Sequence, residues 1–257
     1  MSNNEGYEIL EVEVKQLVEA YESREGPFSE DLMPETTPAE SLSNSDDRAL
    51  FLTFGSALNY QRSSERLWKS MRELWDEENW MFTPDRVVDH TTEDVKEVLT
   101  DYGARFPNND ADGWYRIAET LSTEFDGRPE NLLEEAGFDA IEVVALVRGH
   151  AGLPYLGGNK IAPMWARFMH ENVHELSNVT ALDIPVDVQV RKVTRAVVEP
   201  VVETEFENDN QIRDFWLNFC SDSDVDPTRV DKPFWIIGAY WDEWGREYLE
   251  QHFTDIA

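Results

Sequence analysis

The sequence has few of the residues that build covalent or metal-bound frameworks. It contains one cysteine, Cys220, in 257 residues. A single thiol forms no disulfide framework and cannot supply a cysteine-ligated zinc or iron–sulfur site. His170 and His174 are one helical turn apart, but Glu171 is not placed as in the zinc-binding HExxH pattern, which favours a solvated helix face. We therefore expect no metal and no cofactor.

Long apolar runs and common nucleotide-binding motifs are also missing. No run approaches the ~20 apolar residues needed to span a bilayer. The N-terminal stretch MSNNEGYEILEVEV lacks the basic-then-apolar pattern of a secretory signal. There is no P-loop, no GxGxxG pattern and no internal repeat. We expect a cytoplasmic protein with no membrane partner.

Basic residues, and lysine above all, are scarce. The chain has 53 acidic and 22 basic residues, a net charge of −31, and only six of the basic residues are lysines. Extremely halophilic proteins use such an excess to stay soluble, since at 1 M salt the Debye length is ~3 Å and self-repulsion is screened. The alternative is a protein that avoids anions or binds cationic partners. The acids are spread along the chain, which favours the halophilic interpretation.

Apolar residues recur with helical periodicity along almost the whole chain, which predicts an all-α protein. We expect an N-terminal helix and acidic arm in residues 1–47, where 25–47 form a surface arm, and a helical domain in residues 48–257. Helices are predicted late in 7–22, from Asp46 or Asp47 to 58, and at 63–78, 83–90, 91–102, 112–126, 129–137, 139–149, 161–169, 188–199, 208–221 and 235–253.

The stretch LPYLGGNKIAPMW at 153–165 is where we expect chemistry. Gly157 and Gly158 permit a turn with positive φ and let another backbone come close. Amides that precede a helix form a good phosphate seat. Lys160 follows at the start of the next helix, and an amine shielded from water there becomes a nucleophile near neutral pH.

Asp187 follows Ile-Pro-Val and precedes a helical pattern, so it is a good helix N-cap. A partly buried carboxylate at this position can also hold a cation or take a proton, although a capping role alone is the simpler interpretation. The window from Arg148 to Arg195 has six basic and four acidic residues. A basic island in an acidic chain is compatible with a polyanion partner.

These two motifs resemble those of the helix-hairpin-helix DNA glycosylases, the group that includes endonuclease III. The family has a hairpin of the type LPGVGxKTA, a helix and then VDTHVxR. This chain has LPYLGGNKIA and later IPVDVQVRKV. Leu156 stands where the family has its first glycine, Gln189 replaces the histidine, and the spacing from lysine to aspartate is wider. Archaeal 8-oxoguanine glycosylases also vary here, so the resemblance favours that branch.

The resemblance implies a two-lobed helical fold with a helix-hairpin-helix and a cleft near residues 153–190. It implies Lys160 as the Schiff-base nucleophile of a glycosylase/AP lyase and Asp187 as the carboxylate that assists base loss. The implied partner is damaged double-stranded DNA carrying a lesion such as an oxidised purine, bound by a monomer. The implied DNA-binding residues are Leu156, Gly157, Gly158, Asn159, Asn59, Gln61 and Arg191, and aromatic candidates for the base pocket are Tyr60, Trp114 and Trp165, each more often a core residue.

Three alternatives stay open. The first is a monofunctional glycosylase, in which Lys160 only binds phosphate and Asp187 activates water. In a non-catalytic helix-hairpin-helix module, the same stretch only holds DNA or a partner protein. A third, weaker alternative is a nucleoside-processing relative that acts on free ribosides or RNA.

Overall fold

The chain is helical throughout the part that is described. A computed structural model describes residues 3–30, 32–203, 205–223 and 225–254, without the side chains of residues 3 and 4. These ranges contain fourteen α-helices and no β-strand, which confirms the all-α class. The helices are α1 (Asn3–Glu22), α2 (Thr36–Glu40), α3 (Ser45–Leu58), α4 (Ser64–Glu77), α5 (Pro84–Val88), α6 (Thr92–Asp101), α7 (Pro107–Glu124), α8 (Pro129–Glu135), α9 (Ala140–Gly149), α10 (Ile161–Asn172), α11 (Val188–Val202), α12 (Asp209–Asp222), α13 (Pro227–Ala239) and α14 (Arg246–His252).

Contacts within the chain define two compact units. The terminal unit comprises Met1–Met33 and Thr180–Ala257, and the central unit comprises Pro34–Val179. The terminal unit therefore joins α1 to α11–α14, while α2–α10 form the central unit. The expected division at residues 47 and 48 follows the sequence rather than contacts and stays a prediction, as does the glycosylase-like arrangement.

The central unit is built around an aromatic core on α3. Phe54 stacks on Trp114 of α7 with ring centroids 4.4 Å apart, and Phe51 packs against Trp68 of α4 at 5.6 Å. Gly55 makes room for that indole, because a Cβ there would lie 2.3 Å from a Trp68 ring carbon. These side chains are almost fully buried and supply much of the hydrophobic stabilisation of the unit.

The terminal unit packs α1, α11 and α13 around an aliphatic and aromatic core. Its buried members include Leu10 and Val14 from α1, Val193 from α11 and Phe234 from α13. Helices α11 and α13 approach closely at Gly238, where a Cβ would lie 2.6 Å from the backbone oxygen of Gln189. Only glycine permits this contact, so α13 is held directly against the first turn of α11.

Most predicted helices are present, and several differ in extent. Helix α1 covers Asn3–Glu22, α7 begins at Pro107 rather than 112, and the segment expected to begin at 235 is helical from Pro227. Helix α3 begins one residue earlier than expected because Asn44, not Asp46 or Asp47, caps it by accepting from the Asp47 amide at 2.7 Å. The arm at 25–47 contains a 3-10 turn at Gly26–Phe28 and helix α2. The expected last helix, 235–253, is interrupted by a π-turn at Trp241–Gly245, where the Gly245 backbone lies against Ile237. No helix in the described ranges is both long and apolar enough to cross a bilayer.

Candidate functional site

The turn between α9 and α10 differs from the predicted one in its backbone. Neither Gly157 nor Gly158 has a positive φ; the left-handed residue is Tyr155, at φ 67°. A tyrosine in this region is strained by roughly 1–2 kcal/mol. Its ring packs over α7 at Gly113, where a Cβ would lie 2.6 Å from two ring carbons. This packing offsets the strain. Because neither glycine has a positive φ, the prediction of a positive-φ turn at this glycine pair was wrong.

Close backbone approach, the second property expected of the glycines, is found at Gly157. A Cβ at Gly157 would lie 3.0 Å from Cα of Arg148 and 3.1 Å from the carbonyl oxygen of Val147. The corresponding position at Gly158 meets nothing closer than 3.9 Å, on Ile161. Gly157 therefore lets the turn pack against the last residues of α9, while Gly158 lies at the surface.

Side chains of α7 hold the same turn from the other side. The Arg116 guanidinium donates to the carbonyl of Ala151, and the Thr120 hydroxyl donates to the carbonyl of Gly152 at 3.0 Å. The amide of Gly152 donates to Nδ1 of His150 at 3.1 Å. Sequence reasoning missed this support because α7 lies more than thirty residues away along the chain and its polar side chains resemble an ordinary solvated face.

Lys160 is the N-terminal capping residue of α10. Its carbonyl accepts from the Met164 amide at 3.3 Å, and its side chain is half-buried. Asn159 is exposed, whereas Leu156 is fully buried. The turn thus presents Gly158, Asn159 and Lys160 at the surface and anchors itself through Leu156, whose expected DNA-binding role would be limited to its backbone.

The loop that follows α3 lies beside α10. The Asn59 amide donates to the sulfur of Met164 at 3.8 Å, and Asn59 itself is buried. Tyr60 is 56% exposed, and Gln61, at φ 50°, donates to its hydroxyl at 2.8 Å. Of the three candidates in this loop, Tyr60 and Gln61 are therefore at the surface of the central unit, on an element that contacts the helix started by Lys160.

The two tryptophans considered for a base pocket are core residues. Trp114 donates its N–H to the carbonyl of Met81 at 2.8 Å, and Trp165 donates to the hydroxyl of Thr53 at 2.9 Å. Their exposures are 1% and 0%. Stacking on a base would require either ring to leave this packing, so burial supports the core interpretation.

Asp187 caps α11 with one carboxylate oxygen and keeps the other for a side-chain partner. Oδ1 accepts from the amides of Gln189 and Val190 at 2.8 and 3.0 Å, as the sequence predicts for a cap. Oδ2 accepts from the indole N–H of Trp235 on α13 at 3.1 Å. The carboxylate plane is thereby fixed from both sides.

No family model and no curated protein matches this chain. The functional assignment therefore depends on the residues and their local geometry.

Basic residues of α11 are largely engaged within the terminal unit. Arg191 forms a two-pronged ion pair with Asp209, at 2.6 and 2.7 Å. This hydrogen-bonded pairing lowers the pKa of Asp209. Lys192 donates to the carbonyl of Gly238 at 2.9 Å, and the Arg195 guanidinium donates to the carbonyl of Phe206. The local charge excess thus helps hold α11 in place, and a DNA-binding role for Arg191 stays a prediction.

The histidines at 170 and 174 have separate partners. Nδ1 of His170 accepts from the Leu176 amide at 2.9 Å, whereas the His174 ring stacks on Phe138 with centroids 3.9 Å apart. In the part of the chain that the structure describes, no three His, Cys, Asp or Glu side chains form a metal-binding group.

Lys160 belongs to the central unit and Asp187 to the terminal unit. Each lies at the N-terminus of a helix, as the sequence predicts, and each is held by contacts within its own unit. The pairing of the amine with the carboxylate stays a prediction.

Proposed function

We propose that this protein is a DNA glycosylase with AP-lyase activity that removes a damaged base such as an oxidised purine. The observation that carries the proposal is the turn between α9 and α10, in which Gly157 packs on the backbone of α9 and Lys160 caps the start of α10. The motif resemblance at LPYLGGNKIA and IPVDVQVRKV supplies the reaction type.

In the proposed reaction, the damaged nucleotide is first flipped out of the duplex, at a cost of a few kcal/mol. The Lys160 amine attacks C1′ of the sugar, forming a C–N bond while the glycosidic bond breaks and the base departs with a proton. Asp187 stabilises the positive charge that develops on the sugar. The lysine nitrogen then forms a C1′=N imine as the C1′–O4′ bond breaks and O4′ takes a proton, which opens the sugar ring. The imine loses a C2′ proton, and the 3′ phosphate leaves by β-elimination.

The fixed carboxylate of Asp187 supports its assignment as an electrostatic stabiliser. Because two backbone amides and Trp235 hold it, little reorganisation is needed when charge develops. The capping role and the electrostatic role use the same group, so Asp187→Ala would confound them. Asp187→Asn keeps the cap and removes the charge, because asparagine is an equally good N-cap. Its amide nitrogen cannot accept from Trp235, so Trp235→Phe, which loses only that bond, is the comparison that isolates the charge.

A net charge of −31 opposes binding to a polyanion. High salt screens this repulsion and also removes the gain from counterion release. We infer that binding depends on short-range contacts. The surface-exposed turn residues Gly158 and Asn159, together with Tyr60 and Gln61, are the candidates for these contacts.

The test is a panel of lesion-bearing duplex oligonucleotides in molar KCl, assayed for base release and strand nicking. Wild type should excise at least one lesion and nick the strand, and Lys160→Gln should do neither. Base release without nicking would favour a monofunctional glycosylase, and binding of the duplexes without base release by wild type would favour a non-catalytic binding module.

Matched controls exist for both substitutions. Lys69→Gln removes the same charge from a largely exposed lysine on α4. Asp226→Asn makes the same change at another helix cap, where Asp226 accepts from the Thr228 amide at 2.8 Å. Both controls should keep wild-type activity, whereas Lys160→Gln and Asp187→Asn should not.

A further inference from the structure

A groove in the terminal unit lies between α1 and α12, and none of the residues that line it has a role in the proposed reaction. It encloses about 520 Å³, which is within the size range of small-molecule sites. Its floor is aromatic: Tyr7 comes from α1, and Phe215 and Phe219 come from α12. Ring centroids lie 6.1 Å apart for Tyr7 and Phe215, 6.4 Å for Tyr7 and Phe219, and 5.6 Å for the two phenylalanines.

Helical spacing places these rings and a set of carboxylates on the same faces. Phe215, Phe219 and Asp222 follow each other at four and three residues along α12. On α1, Tyr7 and Glu11 are four residues apart, and Glu8 adjoins them. The aromatic floor is therefore bordered by Glu8 and Glu11 on one side and by Asp222 on the other.

The charge of the groove is negative. Within the described part of the chain, none of the side chains that line it is basic. Glu11 forms an ion pair with Lys15, one turn further along α1, with 2.7 Å between Oε1 of Glu11 and Nζ of Lys15. Carboxylates at the border disfavour an anionic ligand and favour a cation.

Two of the three rings, those of Tyr7 and Phe215, are only partly covered. Tyr7 is 38% exposed, which is unusual for an aromatic side chain that packs on two other rings, while Phe219 is 5% exposed and anchors the floor. Ring faces carry negative electrostatic potential, so a cation over them is attracted even after it loses water. Bare metal ions prefer oxygen ligands and keep their hydration, whereas alkylated ammonium groups give it up readily.

We propose that this groove binds a quaternary ammonium group. The positive charge lies over Tyr7 and Phe215, the methyl groups contact the aromatic floor, and the carboxylates of Glu8 and Asp222 neutralise the charge. The group belongs either to a small free cation or to a trimethylated lysine side chain of another protein, and both present the same chemistry to the groove.

The first experiment compares a cation with its neutral isostere on the full chain. Choline is titrated by ligand-observed NMR at constant chloride concentration, beside 3,3-dimethylbutan-1-ol, which has the same shape without the charge. Saturable binding of choline with at least a fivefold weaker alcohol is expected. Equal binding of the two would overturn the proposal, since the groove would then be merely apolar.

Variants distinguish choline binding in the groove from the general attraction of cations to an acidic protein. Tyr7→Leu and Asp222→Asn should each weaken choline binding about two- to fivefold. Glu97→Gln, at an exposed position of α6 in the central unit, removes the same charge outside the groove and should leave binding unchanged. Tyr7 is chosen over Phe219 because it is half-exposed, and circular dichroism checks the fold. A loss as large in Glu97→Gln as in Asp222→Asn would contradict the proposal.

A second titration identifies the source of the group. A short peptide carrying trimethyl-lysine is compared with the same peptide carrying unmodified lysine. Selective binding of the trimethylated peptide with weak choline binding indicates a protein partner, and choline binding alone indicates a free cation. If neither choline nor the trimethylated peptide binds, the groove does not have the proposed role.

Discussion

At the scale of single residues, Asp187 is a helix cap to which we also assign a role in the proposed reaction. Its cap role could be predicted from sequence, since an aspartate before an apolar-periodic run accepts amides of the first turn. Its bond with Trp235 could not, because 48 residues separate the two and α13 must first pack on α11. The position of Lys160 at the start of α10 was likewise predictable, whereas the left-handed Tyr155 was not.

Removal of the indole donor tests whether orientation of Asp187 matters. Trp235→Phe keeps an aromatic ring but loses the N–H that holds Oδ2. We expect kcat for base release to fall about tenfold to a hundredfold with little change in KM, because a misplaced catalytic group loses transition-state stabilisation. Single-turnover kinetics on the preferred lesion measure this.

Trp80→Phe is the matched control. Trp80 is also half-buried and donates its N–H to a carboxylate, Glu78, at 2.8 Å, but it lies in the central unit. Both substitutions should cost about 1 kcal/mol or less of unfolding free energy. An equal loss of kcat in the two variants would show that the effect of Trp235→Phe on kcat does not come from its lost hydrogen bond to Asp187.

At the scale of elements, helix existence was predictable and helix ends were less so. The starts of α4 and α6 were predicted to within one residue, at 63 and 91, where Ser63 and Thr91 cap the helices. The break at Trp241–Gly245 was not, because it depends on the contact of Gly245 with Ile237 rather than on periodicity. The turn between α9 and α10 was located by its glycines, yet its shape is set by α7 and by Tyr155.

The two glycines of the hairpin give opposite predictions. Gly157→Ala places a methyl group 3.0 Å from the α9 backbone, which cannot move aside easily, so we expect a loss of about 1–3 kcal/mol in unfolding free energy. Gly158→Ala meets only ordinary contacts and should be neutral or stabilising by up to about 1 kcal/mol. Urea unfolding monitored by tryptophan fluorescence measures both, and a larger loss in Gly158→Ala would refute the packing described for the turn.

The ion pair between α11 and α12 predicts an acid-dependent contribution to stability. Because Arg191 lowers the pKa of Asp209 in the folded state, the pair stabilises the fold fully above the unfolded value of about 4. The contribution is lost as the pH falls through the lower folded pKa. Asp209→Asn should therefore cost about 0.5–1 kcal/mol at pH 7 and progressively less as the pH falls below about 4.

Urea unfolding at a series of pH values measures this difference. Asp214→Asn, an exposed change on the same helix, should show a smaller and less pH-dependent effect. A constant difference between wild type and Asp209→Asn across the pH range would exclude the pair as its source.

At the scale of the whole molecule, charge is the dominant property. A chain with a net charge of −31 repels itself at low ionic strength, and the repulsion is screened over a few ångströms in molar salt. The all-α class could be predicted from periodicity because nearly every segment repeats with helical spacing. The division into units could not, since Thr180 and the residues after it return to pack with α1.

Salt should stabilise the protein as a whole. We expect the Tm to rise steadily as KCl is increased from 0.1 M to about 2 M, because screening relieves repulsion among the 53 acidic residues. Differential scanning calorimetry at fixed pH measures the rise. A Tm that is flat or that falls over this range would contradict the interpretation of the composition as an adaptation to high salt.

The role of Lys160 as a covalent nucleophile is tested most directly by borohydride reduction in the presence of abasic-site DNA in molar KCl. The account predicts a protein–DNA adduct with wild type and with Lys69→Gln, and none with Lys160→Gln, because only the Lys160 amine forms the imine that borohydride reduces. No adduct with wild type, or an adduct that persists in Lys160→Gln, would contradict it.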